Sequence, residues 1–224
     1  EKDFYKKHQV DAHFVGHPLL DAIEALPEIN TEQFKKDHHL NEKEIIALLP
    51  GSREQEVTKM LELMLSVRPY FKDYQFVIAG APSLPKEFYQ KFVDENVHFV
   101  SNRTYDLLRC SKVALVTSGT ATLETALLNI PEVVCYKSST ISYEIGKRVV
   151  KNIKYISLVN LIMDEEIVTE LIQKELTTEN LVRELNHILK GEKRNQMLSD
   201  FEKLQNKLGG KGASDIAAEI IING

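Results

Sequence analysis

The sequence predicts an α/β fold, a doubly wound parallel sheet followed by a helical C-terminal tail, and two observations carry that expectation. The first is alternation. From about residue 12 to residue 160 the apolar runs "AHFV", "IIALL", "QFVIAG", "VHFV", "KVALVT", "EVVCY" and "YISL" take turns with helical patterns. Runs that are apolar on both faces belong in a parallel sheet covered on both sides, and helices between them supply the cover. The second is the change after Glu165, where strand signals fade. "TTENLVRELNHIL", "RNQMLSDFEKLQNKL" and "GASDIAAEIII" follow as three helices, separated by "KGEK" and "GGKG".

Between the runs, "EQEVTKMLELMLSVRPYF" places Val57, Met60, Leu61, Met64 and Leu65 on one helical stripe. The chain has 224 residues, enough for one large domain or two small ones. Its 28 Lys and Arg against 33 Asp and Glu give a net charge of -5. That field repels phosphate, so a sequence-independent grip on nucleic acid is not expected and any anion site must be local. Cys110 and Cys135 sit in apolar contexts, as buried free thiols do, which fits a reducing cytoplasm. No apolar run approaches the roughly 20 residues of a spanning helix, and no signal peptide is visible. The chain opens at Glu1 without methionine, which reads as a piece of a longer protein.

In α/β sheets ligands gather at the carboxyl ends of the strands, and two such ends stand out. In "IIALLPGSREQEV" an apolar run stops at Pro50-Gly51 and a charged helix follows. Ser52 and Gln55 fit an S-x-x-Q capping box, and Pro50 and Gly51 are turn formers, so local structure accounts for these four. It does not account for Arg53, a cation in the first turn, where the helix dipole disfavours it. Glu54 and Glu56 offset part of that cost. Glycine turn, helix N–H groups and arginine together make an anion site, most simply for phosphate.

In "VALVTSGTATLETALL" a strand again runs through Ser118, Gly119 and Thr120 into a helix. Small hydroxyl residues and glycine at a helix start cradle phosphate through backbone N–H groups. Glu124 lies one turn above Thr120, and Ala121 occupies the position from which a cap would serve it. A carboxylate there can accept both hydroxyls of a ribose, as in dinucleotide folds. Two such turns in one sheet suggest a nucleoside diphosphate.

"HFVGHPLLDAI", "ALLPGSREQEV", "SGTATLETALL", "YEIGKRVVK" and "YISLVNLI" resemble, in order and spacing, the successive motifs of lipid-A-disaccharide synthase. That family consists of GT-B glycosyltransferases. The likeness covers most of residues 4–175, and the "GASDIAAEIII" ending is similar to the family's last helix. It implies a Rossmann-like GT-B C-terminal domain. Residues 1–11 would form an interdomain connection, 12–175 the α/β core and 176–224 the C-terminal helices of one UDP-sugar-binding domain. The acceptor domain, where the family keeps its candidate base, would lie outside the chain.

The implied activity is inverting transfer of a diacylglucosamine from UDP to a diacylglucosamine 1-phosphate, with this part inactive alone. Gly51, Ser52 and Arg53 would meet the donor diphosphate, Ser118, Gly119 and Thr120 would complete the cradle, and Glu124 would hold the ribose. Asn160 matches the asparagine of the family's "S-L-x-N-L" motif, which with Arg53 makes the catalytic expectation; its plain reading is a turn former at a strand end. Where the family continues with a small-Gly-Arg run, this chain has Met163-Asp164-Glu165-Glu166, so that arginine has no counterpart. Two other readings stand beside this one: another GT-B enzyme handling UDP-N-acetylglucosamine, transferase or epimerase, and a non-catalytic binding module.

Weaker signals remain. Lys147, Arg148, Lys151 and Lys154 cluster in an acidic chain, while Ile145, Val149 and Ile153 repeat at helical spacing. A solvated basic face is the plain reading, and contact with an anionic glycolipid acceptor or a membrane surface the functional one. The latter would place the protein peripherally on the inner membrane face. His38-His39 read as a loop, His17 as a turn residue or a strand-end group near the ligand, and Asp164-Glu165-Glu166 as a helix start. With no D-x-D pair and no Cys/His ligand spacing, no metal or other cofactor is expected. The family's tails can exchange between protomers, which leaves a homodimer open.

Overall fold

The computed structural model describes residues 2–137 and 154–223. Its six-stranded sheet is parallel throughout, with β1 Glu44–Leu49, β2 Tyr74–Gly80, β3 Val97–Ser101, β4 Ser111–Thr117, β5 Glu132–Tyr136 and β6 Thr169–Ile172. The order is β3-β2-β1-β4-β5-β6. This is the doubly wound arrangement, in which the winding reverses between β1 and β4. That reversal parts the loops after β1 and β4 and leaves a crevice between them.

The chain divides into two compact units, Glu28–Phe201 and Glu1–Pro27 with Glu202–Gly224. The boundary inside the tail falls within the helix Glu192–Lys207. In the larger unit both faces of the sheet are dry. Ile45, Ala47, Leu49, Val77, Ala79, Val100, Ala114 and Val116 share one cluster with Phe34, Leu107 and Leu108. Ile46, Leu48, Phe76, Ile78, Val113 and Leu115 are as fully buried. The expected stripe appears on the helix Glu54–Leu65, where Val57, Met60, Leu61 and Met64 are buried. Each such side chain contributes about 1.5–3 kcal/mol. The helix Thr178–Leu189 packs on β4, β5 and the helix Glu54–Leu65.

In the smaller unit, Asp21 accepts from the N–H groups of Gly212 (2.7 Å) and Ser214 (2.9 Å), capping the helix Ala213–Asn223. The backbone bond from Ser214, then that from Gly212, holds the Asp21 carboxyl below its ordinary range. His17 caps the helix Pro18–Glu24, its Nδ1 accepting from Leu19 N at 3.2 Å, so the histidine is a turn residue.

Three strand expectations change. "AHFV" is irregular and belongs to the smaller unit, with His13 and Phe14 exposed. "YISL" is a loop that enters the helix Leu158–Met163. The sixth strand is instead "TELI", at a sheet edge, beyond the point where the apolar signal fades. Asp164 ends a helix rather than beginning one, in the left-handed conformation (φ 56°).

One buried group runs against the rest of the core. Glu132, at the start of β5, is fully buried and neither carboxyl oxygen has a hydrogen-bond partner. Burial raises its pKa well above the ordinary 4.5. A raised folded-state value means its contribution is fully present below about pH 4.5 and is lost as pH rises toward the folded value. Each pH unit in that window removes about 1.4 kcal/mol. Glu132→Gln therefore flattens the decline in stability between pH 5 and 8, read as urea midpoints across pH. Parallel wild-type and variant curves would refute this.

Candidate functional site

A cleft of about 310 Å³ opens at the carboxyl ends of β1, β2 and β4, where the winding reverses. Ligand pockets begin at about this size, and sheets of this type bind at this place. Its wall combines Gly51 and Ser52 after β1, Gly80, Ala81 and Pro82 after β2, and Thr117, Ser118, Gly119, Thr120 and Glu124 after β4. Six of the seven residues expected at the donor thus meet in one cleft.

The loop after β1 turns at Gly51, whose φ of 94° costs a residue with a Cβ about 1–2 kcal/mol. This turn moves the helix start by one residue. Arg53, not Ser52, is the N-cap of Glu54–Leu65, and its side chain makes no capping bond. The S-x-x-Q box is therefore not formed. Ser52 instead has its carbonyl held by the Ser83 hydroxyl at 2.9 Å. The N–H groups of Glu54 and Gln55 open the helix without intrahelical partners. Arg53 stands just outside the helix rather than in its first turn, which lessens the dipole penalty. Its side chain is 81% exposed and meets Glu56 at 3.3 Å. It is not part of the cleft wall.

The loop after β4 has a comparable form. Gly119 caps the helix Thr120–Leu127 at φ 156°, ψ −164°, a conformation open to glycine almost alone. A Cβ there would meet nothing within 4 Å. Ser118 corrects the expected cradle. Its N–H donates to Cys135 O at 3.2 Å and its hydroxyl to Ile156 O at 2.9 Å, so both of its donors are spent on the fold. The donors left at this helix start are the Thr120 and Ala121 N–H groups.

The third wall, Gly80, Ala81 and Pro82, is backed by aromatics. The Ala81 N–H donates to the hydroxyl of the buried Tyr89 at 3.0 Å, and Tyr89 stacks on Phe99 at 4.6 Å. Phe99 lies so close to Gly80 that a Cβ there would stand 2.2 Å from its ring.

Two residues escaped the sequence reading. Thr117 lines the cleft with a buried Oγ1 that has no hydrogen-bond partner, beside Gly51. A threonine at a strand end gives no such signal in sequence. Tyr105, half-buried on the helix Thr104–Arg109 beside the cleft residue Thr104, is the second. Burial first, then the Glu124 charge, raises the Tyr105 phenol above its ordinary value.

Asn160 lies apart from the cleft wall and is fully buried. Its amide donates to Val168 O (2.8 Å) and Glu170 Oε1 (2.9 Å). Its Oδ1 accepts from Ile167 N (2.8 Å) and Val168 N (3.0 Å). No hydrogen-bonding position remains for a substrate. The catalytic expectation is corrected accordingly: here Asn160 clamps the turn into β6. Glu170 also accepts from Ile156 N (2.8 Å) and Ser157 N (2.9 Å), and thereby fixes the carbonyl segment that anchors Ser118.

Lys147, Arg148 and Lys151 lie outside the described residues. Among the described residues no three His, Cys, Asp or Glu side chains gather as metal ligands, and no helix is long and apolar enough to cross a membrane. A larger depression of about 540 Å³ lies at the amino ends of the strands, beside Lys43, Lys72 and Tyr74. It borders the carboxyl end of the helix Glu54–Leu65, where the dipole disfavours anions. Its Lys43 and Arg68 are also engaged, with Lys72 O and Asp94. The smaller cleft is the better ligand site.

The family model described as lipid-A-disaccharide synthetase matches residues 1–221. The lipid-A-disaccharide synthase of Syntrophus aciditrophicus is 35% identical over 97% of this chain and 59% of its own length. That of Persephonella marina is 36% identical over 99% of this chain and 62% of its own. The chain thus spans about three fifths of the length of these relatives. Among solved structures, the UDP-GlcNAc 2-epimerase from Neisseria meningitidis bound to UDP-GlcNAc superimposes with a TM-score of 0.60 at 18% identity, covering 97% of this chain and 56% of that one. The S. aureus MnaA-UDP co-structure gives 0.59 at 15% identity, covering 92% and 52%. At such identities the likeness concerns the fold.

Proposed function

The chain belongs to the lipid-A-disaccharide synthetase family, and on that footing we propose that it is the donor-binding part of an inverting hexosyltransferase. The observation that carries this is the pairing of two glycine-turned helix starts across one cleft, with Glu124 on its wall. The N–H groups of Glu54, Gln55, Thr120 and Ala121 take the diphosphate of a UDP-sugar, and Glu124 takes the ribose hydroxyls. No metal enters this scheme, because helix ends and Arg53 supply the positive charge.

In the reaction the acceptor hydroxyl oxygen forms a bond to C1 of a UDP-linked diacylglucosamine as the C1–O bond to UDP breaks. The hydroxyl proton passes to a base in the acceptor-binding part of the protein, outside this chain. The electron pair leaves on the β-phosphate, where the two helix ends and Arg53 stabilise the developing charge. The acceptor is a diacylglucosamine 1-phosphate and the products are the lipid A disaccharide and UDP. An acyl-chain substrate of this kind places the enzyme peripherally at the cytoplasmic membrane face.

Calorimetric titration of this chain tests the reading. Saturable binding of UDP, weaker binding of ADP, and about a tenfold loss for UDP in Glu124→Ala are expected, the last from removal of hydrogen bonds to a charged group. Equal affinity for UDP and ADP with Glu124→Ala unaffected would overturn it.

A further inference from the structure

We propose that the Thr117 hydroxyl is a direct ligand contact in the cleft, donating a hydrogen bond to the diphosphate; this rests on the donor-binding reading above. Among the described residues three side chains hold a buried polar atom without a hydrogen-bond partner, those of His98, Glu132 and Thr117. Of these, Thr117 alone lines the cleft. It is the last residue of β4, which pairs with β1 up to Leu49 and Val116. Thr117 therefore stands between the two turns, with Gly51 beside it and Gly119 following two residues later. A Cβ at Gly51 would come within 3.7 Å of the Thr117 methyl and 4.0 Å of its Oγ1. Glycine at 51 leaves that side of the threonine uncovered.

A buried hydroxyl without a partner is unfavourable, and the fold offers this one no remedy. Its neighbours in the strand pair, Leu49, Leu115 and Val116, are buried and apolar, with no side-chain acceptor among them. A diphosphate drawn to both helix starts crosses the residue that lies between them. Its charged oxygens are acceptors, and an O–H donated to a charged oxygen makes one of the stronger hydrogen bonds. Thr117 as a whole is only partly buried, although its Oγ1 is wholly so. A turn about χ1 to another staggered well exchanges hydroxyl and methyl, which are similar in size. The O–H then meets the ligand, and the methyl takes the dry position that suits it.

The consequence is specific to the phosphates. Thr117→Val keeps the branched shape and removes only the hydroxyl, whereas Thr117→Ser keeps the hydroxyl and removes the methyl. Titrating wild type and both variants with UDP, and following uridine binding by NMR, separates a phosphate contact from packing. Thr117→Val is expected to lose about tenfold or more in affinity for UDP and to bind uridine as wild type does. Thr117→Ser should recover most of the UDP affinity. Without ligand, the urea midpoint of Thr117→Val should not fall below that of wild type, because no hydrogen bond of the fold is lost.

Equal weakening for UDP and uridine, with a lowered urea midpoint, would make the hydroxyl merely structural and overturn the proposal. So would a Thr117→Val protein that binds UDP as wild type does while Glu124→Ala binds it less well; that outcome leaves the donor-binding reading intact. A wild type that does not bind UDP removes the diphosphate from the cleft, and this inference falls with that reading.

Discussion

Arg53→Ala in the complete enzyme lowers turnover by about a hundredfold or more, while UDP-sugar affinity falls much less. The size follows from removing one donor that faces developing charge, about 2.7–4 kcal/mol of barrier in other enzymes. The asymmetry follows from the structure. Arg53 lies outside the cleft wall, and its guanidinium meets Glu56 at 3.3 Å. In the proposed site the helix N–H groups hold the ground-state diphosphate without it. Its charge is worth most when the leaving group becomes more negative, which is differential binding of the transition state. Steady-state kinetics on the full-length protein decide the matter, and equal losses in kcat and affinity would show a ground-state contact instead. Arg53→Lys keeps the charge and loses the planar fork, so an intermediate turnover separates charge from geometry.

Asn160→Ala unfolds easily. Truncation leaves Ile167 N, Val168 N and Val168 O buried without partners and takes one donor from Glu170. At about 1–3 kcal/mol for each stranded group, the loss is about 3 kcal/mol or more even after partial relaxation. Urea denaturation of this chain measures it. A variant of wild-type stability that fails to bind UDP would return Asn160 to the ligand site and refute the clamp. Asn160→Asp is also expected to be unstable, because it cannot donate to Val168 O and sets a second carboxylate beside Glu170.

These two residues show how far the sequence could be read. β1, β2, β4 and β5 were legible because strands dry on both faces are continuous apolar runs. β6 was not. As an edge strand it carries Thr169 and Glu170, and Glu170 is spent on the Ile156-Ser157 backbone rather than on the core. The same four-letter apolar signal misplaced a strand at "AHFV", where no neighbouring strand pairs with it among the described residues.

At the cleft, glycine turns and helix starts were visible because they are local. Arg53 was misplaced by one residue because the S-x-x-Q pattern fits a cap and Gly51 enters the helix from a left-handed turn. Asn160 and Ser118 depend on partners that are 7 to 38 positions away, and no local pattern encodes those. What the sequence lacks is long-range hydrogen bonding, the property that separates a clamp from a ligand contact.

The anchoring of Ser118 bears on the thermodynamics of the site. A loop whose N–H and hydroxyl are both committed to the scaffold has already lost most of its freedom before anything binds. Ordering a loop residue costs about 1–2 kcal/mol of backbone entropy, and in this cradle that cost was met at folding. Thr120 and Ala121, just beyond Ser118, therefore present their N–H groups from a fixed frame, and a diphosphate bound as proposed would dock without first assembling its own receptor. Such a site captures its ligand with little conformational entropy loss.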